Sequence, residues 1–241
     1  TALRPIETVT ITAVYKTNPA LTCSWNLKIT RTKGYITKQM LDNLDLTSIK
    51  KVMITAHPDD ETLWGGGHLI EGEYLVVCMT HGWNPKRRTA FEQTMRTTND
   101  KYLILDYPDV RKTFSNGKYE TDMLSTCKNA MQEDINLILS YKKWDLIATH
   151  NPFGEYGKFL HKTISQMVTQ CYNKMTNKSA TLYYFGRYYN SSNKIPGEQI
   201  APELLAIKNS MVGRYYPTAK GAIDAFGHMI PYENWLLPSE W

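Results

Sequence analysis

An α/β fold, with a mostly parallel sheet, helices on both faces and an N-terminal β extension, is what this sequence predicts. Three observations lead there. From about Lys51 short apolar runs alternate with longer helical patterns, the rhythm of strands joined by crossover helices. Before Lys51 the rhythm is different, with strict alternation of apolar and polar residues, the period of half-buried strands. Finally, a chain of 241 residues, 42% hydrophobic and 21% charged, can bury one sizeable core.

In residues 1–50, Val9, Ile11 and Ala13 alternate with Thr8, Thr10 and Thr12. Asn18-Pro19 breaks the chain. Trp25, Leu27 and Ile29 then alternate with polar neighbours, which predicts an antiparallel pair. Residues 1–50 are therefore read as a β extension and 51–241 as the α/β domain. In that domain the expected strands are Lys51–Ala56, Glu73–Met79, Tyr102–Leu105, Asp145–Thr149 and Ala180–Phe185. The expected helices are Gly66–Ile70, Pro85–Asn99, Asp122–Tyr141, Leu160–Tyr172 and Ala201–Met211. The stretch 190–197, rich in Asn and Ser, reads as a loop.

The bulk numbers remove several function classes. A net charge of +5, with basic residues scattered and only Lys86-Arg87-Arg88 in a row, gives no stripe for nucleic acid, and none is expected as a partner. No stretch approaches the length of a membrane span. The four cysteines, Cys23, Cys78, Cys127 and Cys171, form no C-x-x-C pair, and Cys78, closing an apolar run, reads as a small buried hydrophobe.

The informative segment is Thr55-Ala56-His57-Pro58-Asp59-Asp60-Glu61. It follows the apolar run Val52-Met53-Ile54 and so lies at the carboxyl end of an expected strand, where open α/β sheets bind ligands. One imidazole and three carboxylates crowded there call for a compensating cation. His57 and Asp60 can aim at one ion, and a catalytic zinc site takes three protein ligands. His161 is the best third ligand, because His150–His161 follows the expected strand Asp145–Thr149 and reaches the same sheet edge. His150 itself is read as structural, Glu61 as a loop-orienting group, and His68 as facing solvent. The Gly65-Gly66-Gly67 run, without a Walker Lys or a full dinucleotide pattern, is read as close helix packing. Asp59, next to ligand Asp60, is placed to take a proton from a zinc-activated water. Trp83, beside the Thr80-His81-Gly82 turn, is the aromatic face placed nearest the expected site.

Ala56-His57-Pro58-Asp59-Asp60-Glu61 resembles the signature of the PIG-L/LmbE-like zinc de-N-acetylases. That family has a second motif, Gly-His-x-x-His, often preceded by Glu-Tyr. Glu155-Tyr156-Gly157-Lys158-Phe159-Leu160-His161 resembles it, with Lys158 in place of the first His. The resemblance covers roughly residues 51–190. It implies a Rossmann-like α/β layer, a zinc (Zn2+) cofactor held by His57, Asp60 and His161, and Asp59 as general base. It also implies that Tyr156 helps polarise the substrate carbonyl, that Thr80 and His81 face the substrate, and that Arg87, or Arg88 in the neighbouring register, contacts it. Lys158 can replace only the electrostatic part of a His. The implied reaction is removal of acetyl from an N-acetylated amino sugar. The rival expectation is a carbohydrate-binding protein that keeps the metal site without efficient chemistry.

Overall fold

The computed structural model describes residues 6–30, 33–112, 119–120, 122–176 and 178–241. β1 (Ile6–Val14) and β2 (Thr22–Thr30) pair antiparallel as a hairpin. A short helix, α1 (Lys38–Asp42), is capped by the Thr37 hydroxyl, which accepts from the Met40 amide. There follow β3 (Lys51–Thr55), α2 (Asp60–Glu71), β4 (Tyr74–Thr80), α3 (Pro85–Thr98) and β5 (Lys101–Tyr107). Two-residue strands β6 (Arg111–Lys112) and β7 (Tyr119–Glu120) form a small antiparallel ladder before α4 (Asp122–Tyr141). The chain ends through β8 (Leu146–Thr149), α5 (Gly154–Gly157), α6 (Phe159–Lys174), β9 (Thr181–Tyr184) and α7 (Pro202–Phe226).

The central sheet has five parallel strands in the order β5-β4-β3-β8-β9. The chain runs outward from β3 to β5, then crosses back to place β8 on the other side of β3. This reversal opens a crevice at the carboxyl ends of β3 and β8, where a doubly wound sheet binds ligands. Successive strand residues feed opposite layers. Val52 and Ile54 pack with α1, α4 and α6, whereas Met53 packs with α2, α3 and α7. Burial on both sides accounts for the unbroken apolar run Tyr74–Met79 in β4. The backbone of Leu236 bridges to Tyr184 and partly covers the β9 edge. Among the described residues no helix is long and apolar enough to cross a membrane.

The expected boundaries shift in three places. Among the described residues of 1–50, only the hairpin stands outside the body. Tyr35, Ile36, Leu41, Leu46 and Ile49 are buried in the main core, and Asp134 on α4 accepts the amides of Tyr35 and Ile36 at 3.0 and 2.8 Å. Next, α2 begins at Asp60, ahead of the expected Gly66, and bends at Gly65 (φ −150°, ψ 17°). The Glu233 carboxylate accepts the Gly67 and His68 amides at 2.7 and 3.1 Å, capping the restarted turn, and is itself paired with the fully buried Lys208. A Cβ on Gly66 would lie 2.9 Å from the Lys208 stem, so the glycine serves close packing. His68, expected at solvent, stacks on Trp235 with ring centroids 3.7 Å apart. Finally, α7 runs past the expected Met211 to Phe226 despite Pro217. Tyr215, Ala219, Ile223 and Phe226 continue its buried face, and the helix breaks at Ala219 (φ −129°, ψ 20°), two residues past the proline.

Candidate metal centre

Three ligand atoms converge in the crevice between β3 and β8. His57 Nδ1 lies 3.0 Å from His161 Nε2 and 3.2 Å from Asp60 Oδ2, and His161 Nε2 lies 3.3 Å from the same oxygen. His57 and Asp60 come from the turn between β3 and α2, and His161 from the first turn of α6. All three are buried. Two ligands at the usual ~2.0–2.1 Å from a tetrahedral zinc stand roughly 3.3 Å apart, so the triangle has the size of one face of such a site.

The outer nitrogens fix which lone pairs face inward. His161 Nδ1 is 2.5 Å from Glu155 Oε2, so its proton is held there and Nε2 is free to bind. His57 Nε2 is 3.1 Å from Asp109 Oδ1, which leaves Nδ1 inward. Carboxylates behind ligating histidines are the usual means of setting tautomer and orientation. Ion-sized groups also form from His150, Glu155 and His161, and from His57, His81 and Asp109. In both, the carboxylate sits on the outer nitrogen of a histidine, so they read as the orienting layer of the central triad.

His150 belongs to that layer. The Ala56 amide donates to its Nε2 at 2.9 Å, while Nδ1 is 3.1 Å from Glu155 Oε2. An amide pointing at Nε2 requires a lone pair, which fixes the neutral Nδ1–H tautomer. Burial favours that neutral form, while Glu155 and Asp60 pull its pKa up to about 9.

The remaining charges follow from burial and neighbours. Burial alone would lower His57, but Asp109 and Asp60 outweigh it and raise its pKa to about 10. A proton on Nδ1 therefore competes with any cation for that position. Burial opposes the charge on Asp60, yet His161, His150 and His57, in their protonated forms, hold it well below the usual carboxylate range. His161 is lowered by burial and stays neutral. Burial also opposes the charge on Glu155, but His150 and His161 keep its pKa at about 2. Its backbone is strained (φ 56°, ψ −76°). The Asn151 side chain accepts the Glu155 amide at 3.0 Å, and the Glu155 carboxylate accepts the Asn151 amide at 3.1 Å. These bonds and the two histidine contacts hold a conformation that costs about 1–3 kcal/mol.

Asp59 sits beside the triad in another strained conformation (φ 148°, ψ −31°). Its amide donates to Glu61 Oε2 at 3.1 Å. Glu61 Oε1 accepts the Tyr215 and Thr62 hydroxyls at 2.6 and 2.7 Å. Burial and the charge of Asp60 raise the Asp59 carboxyl to about 7, against the pull of Arg87 and His57. Removing the Tyr215 hydroxyl deprives a fully buried carboxylate of its shortest hydrogen bond. Tyr215→Phe is therefore expected to cost about 1.5–3 kcal/mol of stability, read by chemical denaturation. A loss within error of zero would mean that Tyr215 does not support this turn.

A cavity of about 150 Å³ opens on the triad, lined by His57, Asp59, Asp60, Leu63, His81, Arg87, Asp109, Tyr156, Lys158, Ala222 and Phe226. The expected residues His81, Arg87, Tyr156 and Lys158 are all in its wall. Arg87 is anchored by donating to the Thr218 carbonyl at 3.0 Å, at the break in α7. Burial, then Asp60 and Asp59, push the Tyr156 hydroxyl far up, so it remains a proton-bearing donor. Two expected residues are elsewhere. Thr80 is fully buried and donates to the Ala56 carbonyl at 2.7 Å, which ties β4 to the turn before His57. Trp83 is 48% exposed and outside the cavity wall, its ring 6.4 Å from that of His81.

Sequence reasoning missed Asp109, Tyr215, Ala222 and Phe226. Asp109 was within reach, because it follows β5 at the same sheet edge. The other three lie on α7 beyond the point where the helix was expected to stop.

No family model matches the chain. It is 31% identical over 175 residues to an uncharacterized protein of Acanthamoeba polyphaga mimivirus, an alignment that spans 66% of this chain and 67% of the viral one. The chain thus belongs to the same family as this uncharacterized mimivirus protein.

Proposed function

We propose that the protein is a zinc-dependent hydrolase that removes the acetyl group from an N-acetylated amino sugar. The observation that carries this reading is the convergence of ligand atoms from His57, Asp60 and His161 with a buried carboxylate, Asp59, beside it. Two neutral imidazoles and one carboxylate suit zinc, and three ligands leave room for water and substrate. The resemblance of 56–61 and 155–161 to the zinc de-N-acetylase motifs supports the same reaction and supplies the sugar.

When bound, zinc supplies a water of lowered pKa and polarises a carbonyl. The protein's own groups do the rest. Asp59, near neutrality through burial, takes the proton of the attacking water and delivers it to the departing amine nitrogen as the C–N bond breaks. The Tyr156 hydroxyl donates to the carbonyl oxygen as that oxygen gains charge. Lys158, exposed on the cavity rim, adds a positive field there without ligating, since an ammonium has no lone pair. Leu63, Ala222 and Phe226 form an apolar wall that limits water around the reacting amide.

The test is acetate release from a panel of N-acetylglucosamine glycans and glycoconjugates by zinc-loaded protein. Release that chelation abolishes and zinc restores is the expected result. Glycan binding with no acetate released would replace this reading with that of a carbohydrate-binding protein.

A further inference from the structure

The β1–β2 hairpin has an apolar face that the described residues leave uncovered. Every described side chain from Thr10 to Leu27 is exposed, and the two strands pack chiefly on each other. The register pairs Ile11 with Trp25 and Ala13 with Cys23, and the Tyr15 amide donates to the Leu21 carbonyl at 3.0 Å, extending the alternation. Cross-strand partners share a face. One face therefore carries Ile11, Tyr15, Leu21, Trp25 and Leu27, which are 47%, 61%, 58%, 53% and 48% exposed. The opposite face is mostly hydroxyl and amide, carrying Thr10, Thr12, Ser24 and Asn26, with Val14, 55% exposed, at its end. Thr10 donates to the Asn26 side chain, and Thr12 bonds to Ser24, each at 2.8 Å.

Such a hairpin is unstable alone in water. Roughly half of five large side chains amounts to apolar surface on the order of 500 Å², as large as the biggest patch a monomer usually leaves open. Two copies of that patch would bury about 1,000 Å², the lower bound for a specific interface.

We propose that this face is a homodimer interface, covered by the same face of a second copy. Its relief is self-complementary. A row of small residues, Ala13 and Cys23, lies between the bulky rows Tyr15/Leu21 and Ile11/Trp25. A two-fold axis between the small row and the Ile11/Trp25 row sets each copy's bulky row into the other's trough. None of the seven side chains Ile11, Ala13, Tyr15, Leu21, Cys23, Trp25 and Leu27 is charged, so no charged side chain is buried by the contact. The product is a two-layer β sandwich closed by an isologous contact. An area at this lower bound gives a dimer that dissociates on dilution.

Sedimentation equilibrium on the full chain over a concentration series tests this. The wild type is expected to show a monomer–dimer equilibrium. Trp25→Lys should weaken it by at least about 30-fold, the effect of losing a central anchor, while Thr12→Lys on the opposite face should leave it unchanged. Cys23 is exposed while the other three cysteines are buried, so a short thiol-reactive cross-linker gives a second readout. It should capture a dimer that Cys23→Ser abolishes. A wild type that stays monomeric throughout the series overturns the proposal. So does a dimer indifferent to Trp25→Lys, or a hairpin that binds lipid vesicles without self-associating.

Discussion

His161→Ala is expected to leave a folded protein that no longer retains a divalent ion. The substitution removes one of three converging ligands and leaves two, His57 and Asp60, that are adjacent on one turn. Losing a partner behind a ligand typically weakens metal binding about 10–100-fold, and losing the ligand itself should exceed that. Glu155→Gln is the graded companion. It keeps the shape but removes the charge that holds the His161 Nδ1 proton at 2.5 Å, so its loss should fall within the smaller range. Metal content after dialysis and competition against a chelator measure both. A full equivalent of zinc in His161→Ala, with circular dichroism unchanged, would remove the triad as the metal site.

Asp59→Asn should do the opposite, keeping the ion and losing the reaction. The amide has nearly the same size but cannot accept the water's proton, and general-base contributions are typically about 10²–10⁴-fold. The pH profile should change with it. In the wild type the Asp59 carboxyl, raised to about 7 by burial and Asp60, works only when ionised. Activity should therefore rise with pH along an acid limb. A bound dication beside the carboxylate places that limb below about 7. In Asp59→Asn the limb should disappear. Wild-type turnover in this variant at full metal occupancy would mean that another group accepts the proton.

Much of the site was legible in the sequence because it is local. His57, Asp59 and Asp60 fall on one turn, and the apolar run before them marks the carboxyl end of a strand. The parallel sheet was legible for a similar reason, since strands buried on both faces write themselves as short apolar runs. What could not be read depended on distant packing. Pro217 looks like the end of a helix, and only the core that Tyr215, Ala219 and Phe226 enter makes a bent continuation favourable. Glu61 has local hydrogen bonds, but its shortest comes from Tyr215, 154 residues away. Gly65–Gly67 was legible as close helix packing, but its partners, Lys208 and Glu233, come from more than 140 residues away. In residues 33–50 the apolar side chains are too sparse to form a pattern, and their burial depends on Asp134 gathering the amides of Tyr35 and Ile36.

The separation of the ligands in the chain bears on how the protein matures. His57 and His161 are 104 residues apart, and they meet only once β3 and β8 lie side by side. In a small zinc finger the ion organises a short peptide that is otherwise unfolded. Here the ion cannot play that part, because closing so long a loop must first be achieved by the sheet itself. Parallel pairings of this kind form slowly, since their contacts are distant in sequence. On the proposed function, metal uptake therefore follows assembly of the sheet and does not trigger it. The expectation is that protein made without zinc is folded and inactive, and that adding the ion restores acetate release without new synthesis.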